Sequence, residues 1–580
     1  MDIANGVTQG LRIMNLINTD GLIGSHRTLV FTATYNELDN IQSLLDEIWD
    51  EIPDADILVV DDNSPDGTGT LLNQIAAVKE NLKVLHRPQK LGLGTAHHLA
   101  MIFAIKHGYD VLVTMDADHS HDPADMTNLI GKLSEADFVV GSRYMPGGGC
   151  DYGGYRKFLS VSANRAARLL LGIRLHEFTT SYRAFRVSAL AKVNFVKMHN
   201  HGYSFFMESV YRLNQAGLKL AEIPIYFHYR NAGSSKIPRL EIIRGMAKLF
   251  HLWSSNTFHK RMPAASPMIE DVCANCLSSF ISERYQRQLE AIQDLNHSNT
   301  FRCSSMAHTS KPCVAKCLQC GLMQVPKSDH PKDLEGLYAD VVDKDYLNNL
   351  HAKKKTFARA YKRIEPFLPH KGNLLEVGSY CGLFLTEAKR HGWKITGIEP
   401  SRWAADYTRS NFGHIVINDT LEAVAPTLRE PYDVVVSWDV LEHVRDPAEW
   451  LRIINGKLRN GGTLAISTLD MASWFPRLMG RRWPWIMEMH LFYFDSVVLQ
   501  QMLHEAGFEV LLVEPYCHYA SLRYVYQKLC AAIPRPFGSV LLVGSKLIPE
   551  WVVPITLGDI KLYVCKKARP PLSQYKPVLL

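Results

Sequence analysis

The residues best placed by type and spacing to do chemistry sit in a few short stretches. Asp116-Ala117-Asp118 follows the apolar run Val111–Met115. Two carboxylates at i, i+2 after a strand can chelate a hard divalent ion that also bridges phosphates. Asp61 and Asp62 close a second apolar run, and ligands of open α/β sheets sit at such carboxyl ends. Cys273 and Cys276, then Cys317 and Cys320, form two Cys-x2-Cys pairs with 40 residues between them. Four thiolates of that kind suit a closed, structural Zn²⁺ site, with Cys303 and Cys313 as competing ligands. Glu376, Gly378 and Gly382 mark a strand running into a glycine turn, and Glu399 ends the next strand 17 residues on. Each feature has a plainer reading: aspartates that cap helices and form turns, and reduced cysteines without metal.

These residues need elements to hold them. Apolar runs alternating with helical patterns, each run ending in a polar or glycine-bearing loop, indicate α/β domains with largely parallel sheets. The first set spans about Thr28 to Trp253, with strands at Thr28–Ala33, Asp56–Val60, Val84–Leu85, Asp110–Met115 and Phe138–Gly141. The second spans about Lys371 to Ala568, with strands at Asn373–Val377, Lys394–Ile398, Asp433–Trp438 and Thr463–Ser467. Between them, a polar stretch carries six of the eleven cysteines; its piece Ser282–Leu295 reads as a charged helix and His297–Ser310 as a loop. The resulting division is an N-terminal arm (1–27), a first α/β domain (28–255), a cysteine-rich module (256–350) and a second α/β domain (351–580).

Composition narrows the classes. With 580 residues, 47% hydrophobic and 21% charged, the chain is neither disordered nor a small disulfide scaffold. A net charge of +6 suits contact with phosphates or an anionic membrane surface and is too mild to indicate nucleic acid. No stretch reaches the roughly 18 uncharged apolar residues that a bilayer span needs. A cytoplasmic protein, at most peripheral at the membrane face, is the expectation.

In the first domain, Thr34-Tyr35-Asn36-Glu37, Asp61-Asp62, Leu91–Ala96, Asp116–Pro123 and Gly141–Tyr144 follow five successive strands. With Phe178–Arg186, Gly202–Glu208, Tyr229-Arg230 and Ser235-Lys236, they resemble the family 2 glycosyltransferases of GT-A fold, in the dolichol-phosphate mannose synthase branch. The resemblance implies sugar transfer from a nucleotide sugar, GDP-mannose-like, to a polyprenyl (dolichyl or undecaprenyl) monophosphate. It implies that Tyr35, Glu37 and Asp61 hold the nucleotide with Asp62 nearby, and that Asp116 and Asp118 carry Mg²⁺ or Mn²⁺ on the diphosphate. Arg143, Arg230 and Lys236 would then hold donor or acceptor phosphates. Ala33 stands where the family often has Pro, and Ser120 where some members have Gln. His119 and His121 read as loop histidines or as further metal ligands. The stretch Arg239–Trp253 reads as an amphipathic basic helix that packs on its domain or lies on a membrane.

In the second domain, only two glycines remain in the turn, with Tyr380 between them. A pyrophosphate cradle is therefore absent, and Glu376 at the entrance suits a cationic amino-acid tail rather than a diphosphate. With Ser437–Val444, the pattern resembles class I S-adenosylmethionine-dependent methyltransferases over about Phe357 to Gly507. The resemblance implies that Glu376, Gly378 and Gly382 line the methionine part and Glu399 takes the ribose. Asp419 would lie near the adenine, and Trp438 and Asp439 would cover the sulfonium. A base helps methyl transfer, and His443 and His490 are the candidates. Arg481–Trp485 reads as an acceptor pocket or as packing.

The two resemblances together imply a bifunctional enzyme that makes a polyprenyl-linked sugar and methylates that sugar, a glycan or a related acceptor. Three alternatives stay open: a non-polyprenyl lipid or natural product as sugar acceptor, a non-catalytic second domain, and a nicotinamide-dependent second half.

Overall fold

The computed structural model describes residues 26–190, 192–193, 204–229, 249, 271–287, 311–331, 333, 336, 344–428, 431–531 and 548–571. The chain divides into two units, Met1–Ser266 and Pro267–Leu580.

In the first unit, the apolar runs become β1 (Thr28–Thr34), β2 (Asp56–Asp61), β3 (Leu82–His86), β4 (Val111–Asp116) and β5 (Phe138–Ser142). Val30, Phe31, Leu58, Val59, Val60, Leu112 and Val113 are fully buried, as expected of parallel strands covered on both faces. Then come β6 (Gly149–Cys150), β7 (Arg183–Arg186), β8 (Leu220–Pro224) and β9 (Tyr226–Phe227). The main sheet runs β3-β2-β1-β4-β7-β5-β8, while β6 and β9 pair separately. Only β7 is antiparallel to its neighbours in that sheet. Strand order reverses at β1, which pairs β2 on one side and β4 on the other. The register sets Thr34 opposite Asp61 and Ala33 opposite Asp116, so the acidic strand ends share one rim at the switch point. Helix Leu93–Lys106 is buried from Gly94 to Ala104. Its His97 is enclosed by Phe31, Phe205 and Phe206, and burial drives its pKa down to about 3, so it is a neutral core residue.

The second unit begins with β10 (Ile281–Tyr285), β11 (Val314–Cys317) and β12 (Met323–Gln324), followed by β13 (Asn373–Val377), β14 (Lys394–Ile398), β15 (Val416–Ile417), β16 (Tyr432–Trp438) and β17 (Leu458–Leu469). It closes with β18 (Phe492–Tyr493), β19 (Phe508–Pro515), β20 (His518–Ser521), β21 (Val552–Ile555) and β22 (Ile560–Lys567). The large sheet runs β15-β14-β13-β16-β17-β22-β19, parallel except for β22, and order again reverses beside its first strand, β13. β20 and β21 form a separate hairpin-like pair.

The cysteine segment is built into this second unit. Its strands form a sheet β10-β11-β12-β18, whose last strand comes from the segment after His490. Cys273, Ile281, Cys317, Cys320 and Leu322 share one core with Met487, Leu491 and Phe492. The expected helix Ser282–Leu295 is corrected over its described part. Residues 282–285 belong to β10, because pairing with β11 and burial of the knuckle core outweigh the helical look of a charged run. Residues 288–295, the loop 297–310 with Cys303, and most of the N-terminal arm lie outside the described residues.

Candidate active sites at two sheet edges

At the first rim, the loops after β1 and β2 are tied together by backbone donors. Asn36 N–H donates to Ser64 Oγ (3.0 Å), Glu37 N–H to Thr68 Oγ1 (3.1 Å) and Leu38 N–H to Asp66 Oδ2 (3.1 Å). Asp61 accepts from Thr34 Oγ1 at 3.0 Å, Ser64 Oγ at 2.5 Å and Ser64 N–H at 3.2 Å. Burial pushes its pKa up, but these bonds and His86 outweigh it and hold the carboxyl below its ordinary range. Asp62 is gripped in bidentate fashion by Arg87 through Nε and Nη2, while Arg87 Nη1 donates to Thr95 Oγ1 at 2.8 Å. Tyr35 lies under the Lys90 ammonium, 3.3 Å from the ring centroid, and Glu37 accepts from Asn40 Nδ2 at 2.9 Å.

Asp116 Oδ1 accepts from Ser181 Oγ at 2.7 Å, and buried Asp118 accepts from Ser120 N–H at 3.1 Å. The buried Ser120 hydroxyl beside them has no hydrogen-bond partner among the described residues. Two hard oxygen donors with an unsatisfied hydroxyl between strand ends fit a hydrated divalent cation. Both neighbouring histidines face elsewhere. His121 Nδ1 accepts the Asp116 N–H (3.2 Å), and its other nitrogen lies 3.1 Å from Thr180 Oγ1. Burial takes His121 down to about 3. His119 turns to helix Leu38–Glu51, against Ser43 (3.0 Å) and Glu47 (3.4 Å). Arg143 is clamped by Glu177 (2.8 Å), Tyr152 (2.8 Å) and Thr179 (3.1 Å). Burial disfavours its charge, but fully buried Glu177 more than offsets this and holds the guanidinium ionised. Arg143 therefore braces the 177–181 segment that carries Ser181. Arg230, Lys236 and the stretch 239–253, apart from Leu249, lie outside the described residues.

At the second rim, Gly378 and Gly382 adopt φ of +74° and +67°; a Cβ there would meet Val440 at 2.5 Å and Thr408 at 2.3 Å. Tyr380 takes φ +44° between them, a conformation that costs a non-glycine residue. Its ring packs on Tyr346 (4.6 Å) and Trp403 (6.0 Å). Glu399 accepts from Tyr380 N–H (2.7 Å) and Ser401 N–H (2.8 Å), and burial raises it to about 7. Glu376 is fully buried and pushed well above the carboxylate range by desolvation, with Glu399 adding to the shift. Buried Glu376 Oε2, Ser379 Oγ, Trp438 Nε1 and Tyr516 OH have no hydrogen-bond partners among the described residues. Unsatisfied buried polar atoms gathered at one strand edge mark a cradle shaped for a polar ligand. Trp438 stacks on Tyr516 at 5.7 Å and 15°, and Asp439 accepts from Ser467 Oγ at 2.7 Å. Asp419 is exposed and bonded to Thr420 N–H (2.8 Å). His443 and His490 pack edge to face at 4.7 Å. Trp483 and Trp485 both donate to Asp559 (3.0 and 3.2 Å), so this part of the Arg481–Trp485 stretch packs inward.

Within that unit, the four sulfurs of Cys273, Cys276, Cys317 and Cys320 gather within 4.8 Å, with Cys273–Cys320 at 3.5 Å and Cys276–Cys317 at 3.6 Å. A tetrahedral Zn²⁺ with bonds of about 2.3 Å sets its sulfurs about 3.8 Å apart, so the cluster fits. Gly321 turns the second knuckle at φ +89°; Leu277 does so in the first at +56° without glycine's freedom. Cys313 stays outside the cluster.

Residues 29–193 match the family described as glycosyl transferase family 2. The polyprenol monophosphomannose synthase of Mycolicibacterium smegmatis is 39% identical over 228 residues, covering 39% of this chain and 86% of that protein. The chain belongs to glycosyl transferase family 2. The undecaprenyl-phosphate mannosyltransferase of Micrococcus luteus is 38% identical over 212 residues, 36% of this chain and 87% of that protein. Residues 350–513 of this glycosyltransferase match a second family, described as a methyltransferase domain. A solved S-adenosylmethionine-dependent methyltransferase from Archaeoglobus fulgidus aligns at 15% identity and TM-score 0.27, covering 37% of this chain and 94% of that one. The chain thus carries a GT-A glycosyltransferase domain and a Rossmann-like sheet within a segment that matches a methyltransferase domain.

The glycosyltransferase rim brings Tyr35, Glu37, Asp61, Asp62, Asp116 and Asp118 to one sheet edge, whereas Arg143 is drawn into a buried ion pair. Arg87, Glu177 and Ser181, which hold the acidic groups in place, were not singled out from the sequence. Arg87 carried a signal, since it directly follows the end of β3. Ser181 lies within the quoted stretch Phe178–Arg186, but its pairing with Asp116, 65 residues away, carried no signal of its own. In the methyltransferase unit, Tyr516 was missed in the same way, because only the fold stacks it on Trp438, and Glu442 was passed over although it directly precedes His443.

Proposed function

We propose that the first unit transfers a mannose-like sugar from a nucleotide sugar to a polyprenyl monophosphate, and that the second methylates the sugar, a glycan or a related acceptor. Asp116 and Asp118, side by side at the switch point of a chain 39% identical to a polyprenol monophosphomannose synthase, carry the first half of this reading. The unpartnered Glu376 Oε2 in its buried cradle carries the second.

At the first rim, Tyr35, Glu37 and Asp61 face the nucleotide, and Asp62 is the anchor that fixes Arg87 beneath it. Asp116 and Asp118 would hold Mg²⁺ or Mn²⁺, which would supply positive charge against the nucleoside diphosphate. The sugar's bond to that diphosphate breaks as a bond to the acceptor phosphate forms. That phosphate is already anionic, so the rim needs no strong base. Arg230 and Lys236 are the proposed phosphate ligands. An amphiphilic acceptor fits a peripheral position at the cytoplasmic membrane face, and no helix among the described residues is long and apolar enough to cross a membrane.

At the second rim, S-adenosylmethionine supplies an electrophilic methyl group when bound. Glu376 receives the cationic amino group, Glu399 the ribose hydroxyls and Asp419 the adenine edge. Trp438 and Asp439 wall the methyl position. His443 is held neutral, its pKa lowered to about 4 by burial, and its Nδ1 lies 2.9 Å from the Met489 carbonyl. It and His490 would line the acceptor side of the site. The cysteine cluster would hold Zn²⁺ in the sheet where β12 pairs with β18, two residues after His490.

Intact-lipid mass spectrometry tests the reading. The full chain is incubated with polyprenyl phosphate, Mg²⁺ or Mn²⁺ and a panel of nucleotide sugars, with and without S-adenosylmethionine. A sugar adduct that gains one methylene only with the methyl donor supports both halves. No lipid adduct with any donor sinks the polyprenyl assignment, and no binding of S-adenosylmethionine sinks the second.

A further inference from the structure

Glu442, His443 and His490 converge three residues beyond Asp439, with one ligand atom from each side chain within 4.8 Å of the others. Backbone groups fix their geometry. His443 Nδ1 lies 2.9 Å from the Met489 carbonyl oxygen, and His490 Nδ1 lies 2.7 Å from that of Trp485. A carbonyl only accepts, so each Nδ1 carries the ring proton and each Nε2 the lone pair. The Glu442 carbonyl accepts from Leu491 N–H (2.8 Å) and Phe492 N–H (3.2 Å), which stitches the two ligand-bearing segments together. Thr468 Oγ1 donates to Glu442 Oε2 at 2.8 Å. Glu442 and His490 are 1% and 4% exposed. Among the described residues, no lysine or arginine pairs with Glu442. A buried carboxylate without a counter-charge is costly, and a dication would supply one. Imidazoles steered through Nδ1–H to carbonyls, beside a carboxylate steered by a hydroxyl, form the outer arrangement that orients metal ligands.

We propose that Glu442, His443 and His490 bind a divalent transition-metal ion that receives a hydroxyl oxygen of the methyl acceptor. Two imidazoles and one carboxylate suit Zn²⁺, Mn²⁺, Fe²⁺ or Co²⁺ and leave coordination positions open. Bonds of about 2.1 Å require ligand atoms within about 4.2 Å of each other, so small side-chain rotations complete the site. The inference rests on the methyltransferase reading above and narrows the acceptor to a hydroxyl compound, such as a sugar, over a carbon nucleophile. The ion acidifies the hydroxyl. Its O–H bond breaks, with the proton passing to water. An O–CH₃ bond forms as the sulfonium S–CH₃ bond breaks, and the neutral thioether leaves.

Cobalt titration of the full chain tests this, with zinc first loaded on the cysteines and Asp118→Asn present to silence the sugar-transfer site. The expected result is one equivalent of Co²⁺, weakened about tenfold or more by Glu442→Gln and by His490→Gln. S-adenosylmethionine binding, measured on the same samples, stays within about twofold and shows that the variants are folded. No cobalt uptake, or uptake equal in all three proteins, with methyl-donor binding intact, overturns the metal site. Cobalt uptake without methyl-donor binding overturns the site's assignment to methyl transfer and the methyltransferase reading with it.

Discussion

The two sheet edges solve the same topological problem with opposite electrostatics. At the glycosyltransferase rim, the charged groups are mostly satisfied within the protein: Asp61 by Thr34 and Ser64, Asp62 by Arg87, Arg143 by Glu177. At the methyltransferase rim, Glu376 Oε2, Ser379 Oγ, Trp438 Nε1 and Tyr516 OH are buried without partners among the described residues. On the proposed reading, the first arrangement is a rigid frame that presents two acidic groups to a cation and a highly charged diphosphate. The second leaves its hydrogen-bonding capacity for an organic ligand that brings its own polar groups. Preorganisation by internal pairing suits a ligand with concentrated charge, whereas a cradle of unsatisfied atoms trades stability for affinity.

The largest expected effect separates the rims by stability. Arg87→Leu leaves Asp62 buried without its partner and should cost the first unit about 3–5 kcal/mol. Denaturant unfolding followed in that unit should show it, with S-adenosylmethionine binding unchanged. Next comes rate. Asp118→Asn should slow sugar transfer about 10³-fold while leaving methylation of a supplied glycolipid intact, since it removes a ligand of the charge-neutralising ion. Initial rates of the two half-reactions check this; a parallel fall in both would break the comparison.

Glu376→Gln should behave in the reverse way to Arg87→Leu. Removing a buried, half-satisfied carboxylate should leave unfolding unchanged or slightly improved, while affinity for S-adenosylmethionine falls about 30- to 100-fold. Calorimetric titration reads the affinity directly. The smallest effect is on pH dependence. Glu399 is raised to about 7 by burial, so the folded unit binds a proton that the unfolded chain has already released. Its stability is therefore highest below the ordinary glutamate pKa and falls as pH rises through about 7, where it levels off. Unfolding midpoints across that range should show the decline, and Glu399→Gln should lessen it, leaving the part due to buried Glu376 and Glu442.

Much of this contrast was legible before the fold was known, for a local reason. A buried parallel strand writes itself as a continuous apolar run, and the carboxylates that follow Val60, Met115 and Ile398 mark the rims. The cysteine pairs were equally plain, because a knuckle is local. What stayed hidden was long-range. Asp62 and Arg87 lie 25 residues apart, Arg143 and Glu177 34, Trp483 and Asp559 76, and nothing in the chain between them announces the pairing. Residues 282–285 misled because their charge pattern favours a helix, while a neighbouring strand and a sulfur core decide the outcome. The two-residue strands β12 and β18, which tie the cysteine cluster to the His490 segment, are too short to leave a periodic signal.

The most direct test of a chain with two separable catalytic rims is to compare the lipid products of the unaltered protein, Asp118→Asn and Glu376→Gln in one reaction mixture. That mixture holds polyprenyl phosphate, the accepted nucleotide sugar, Mg²⁺ and subsaturating S-adenosylmethionine. The account predicts a methylated glycolipid from the first, about 10³-fold slower glycolipid formation from the second and an unmethylated glycolipid from the third. A methylated product that persists with Glu376→Gln, or glycolipid formation that keeps its rate with Asp118→Asn, would contradict it.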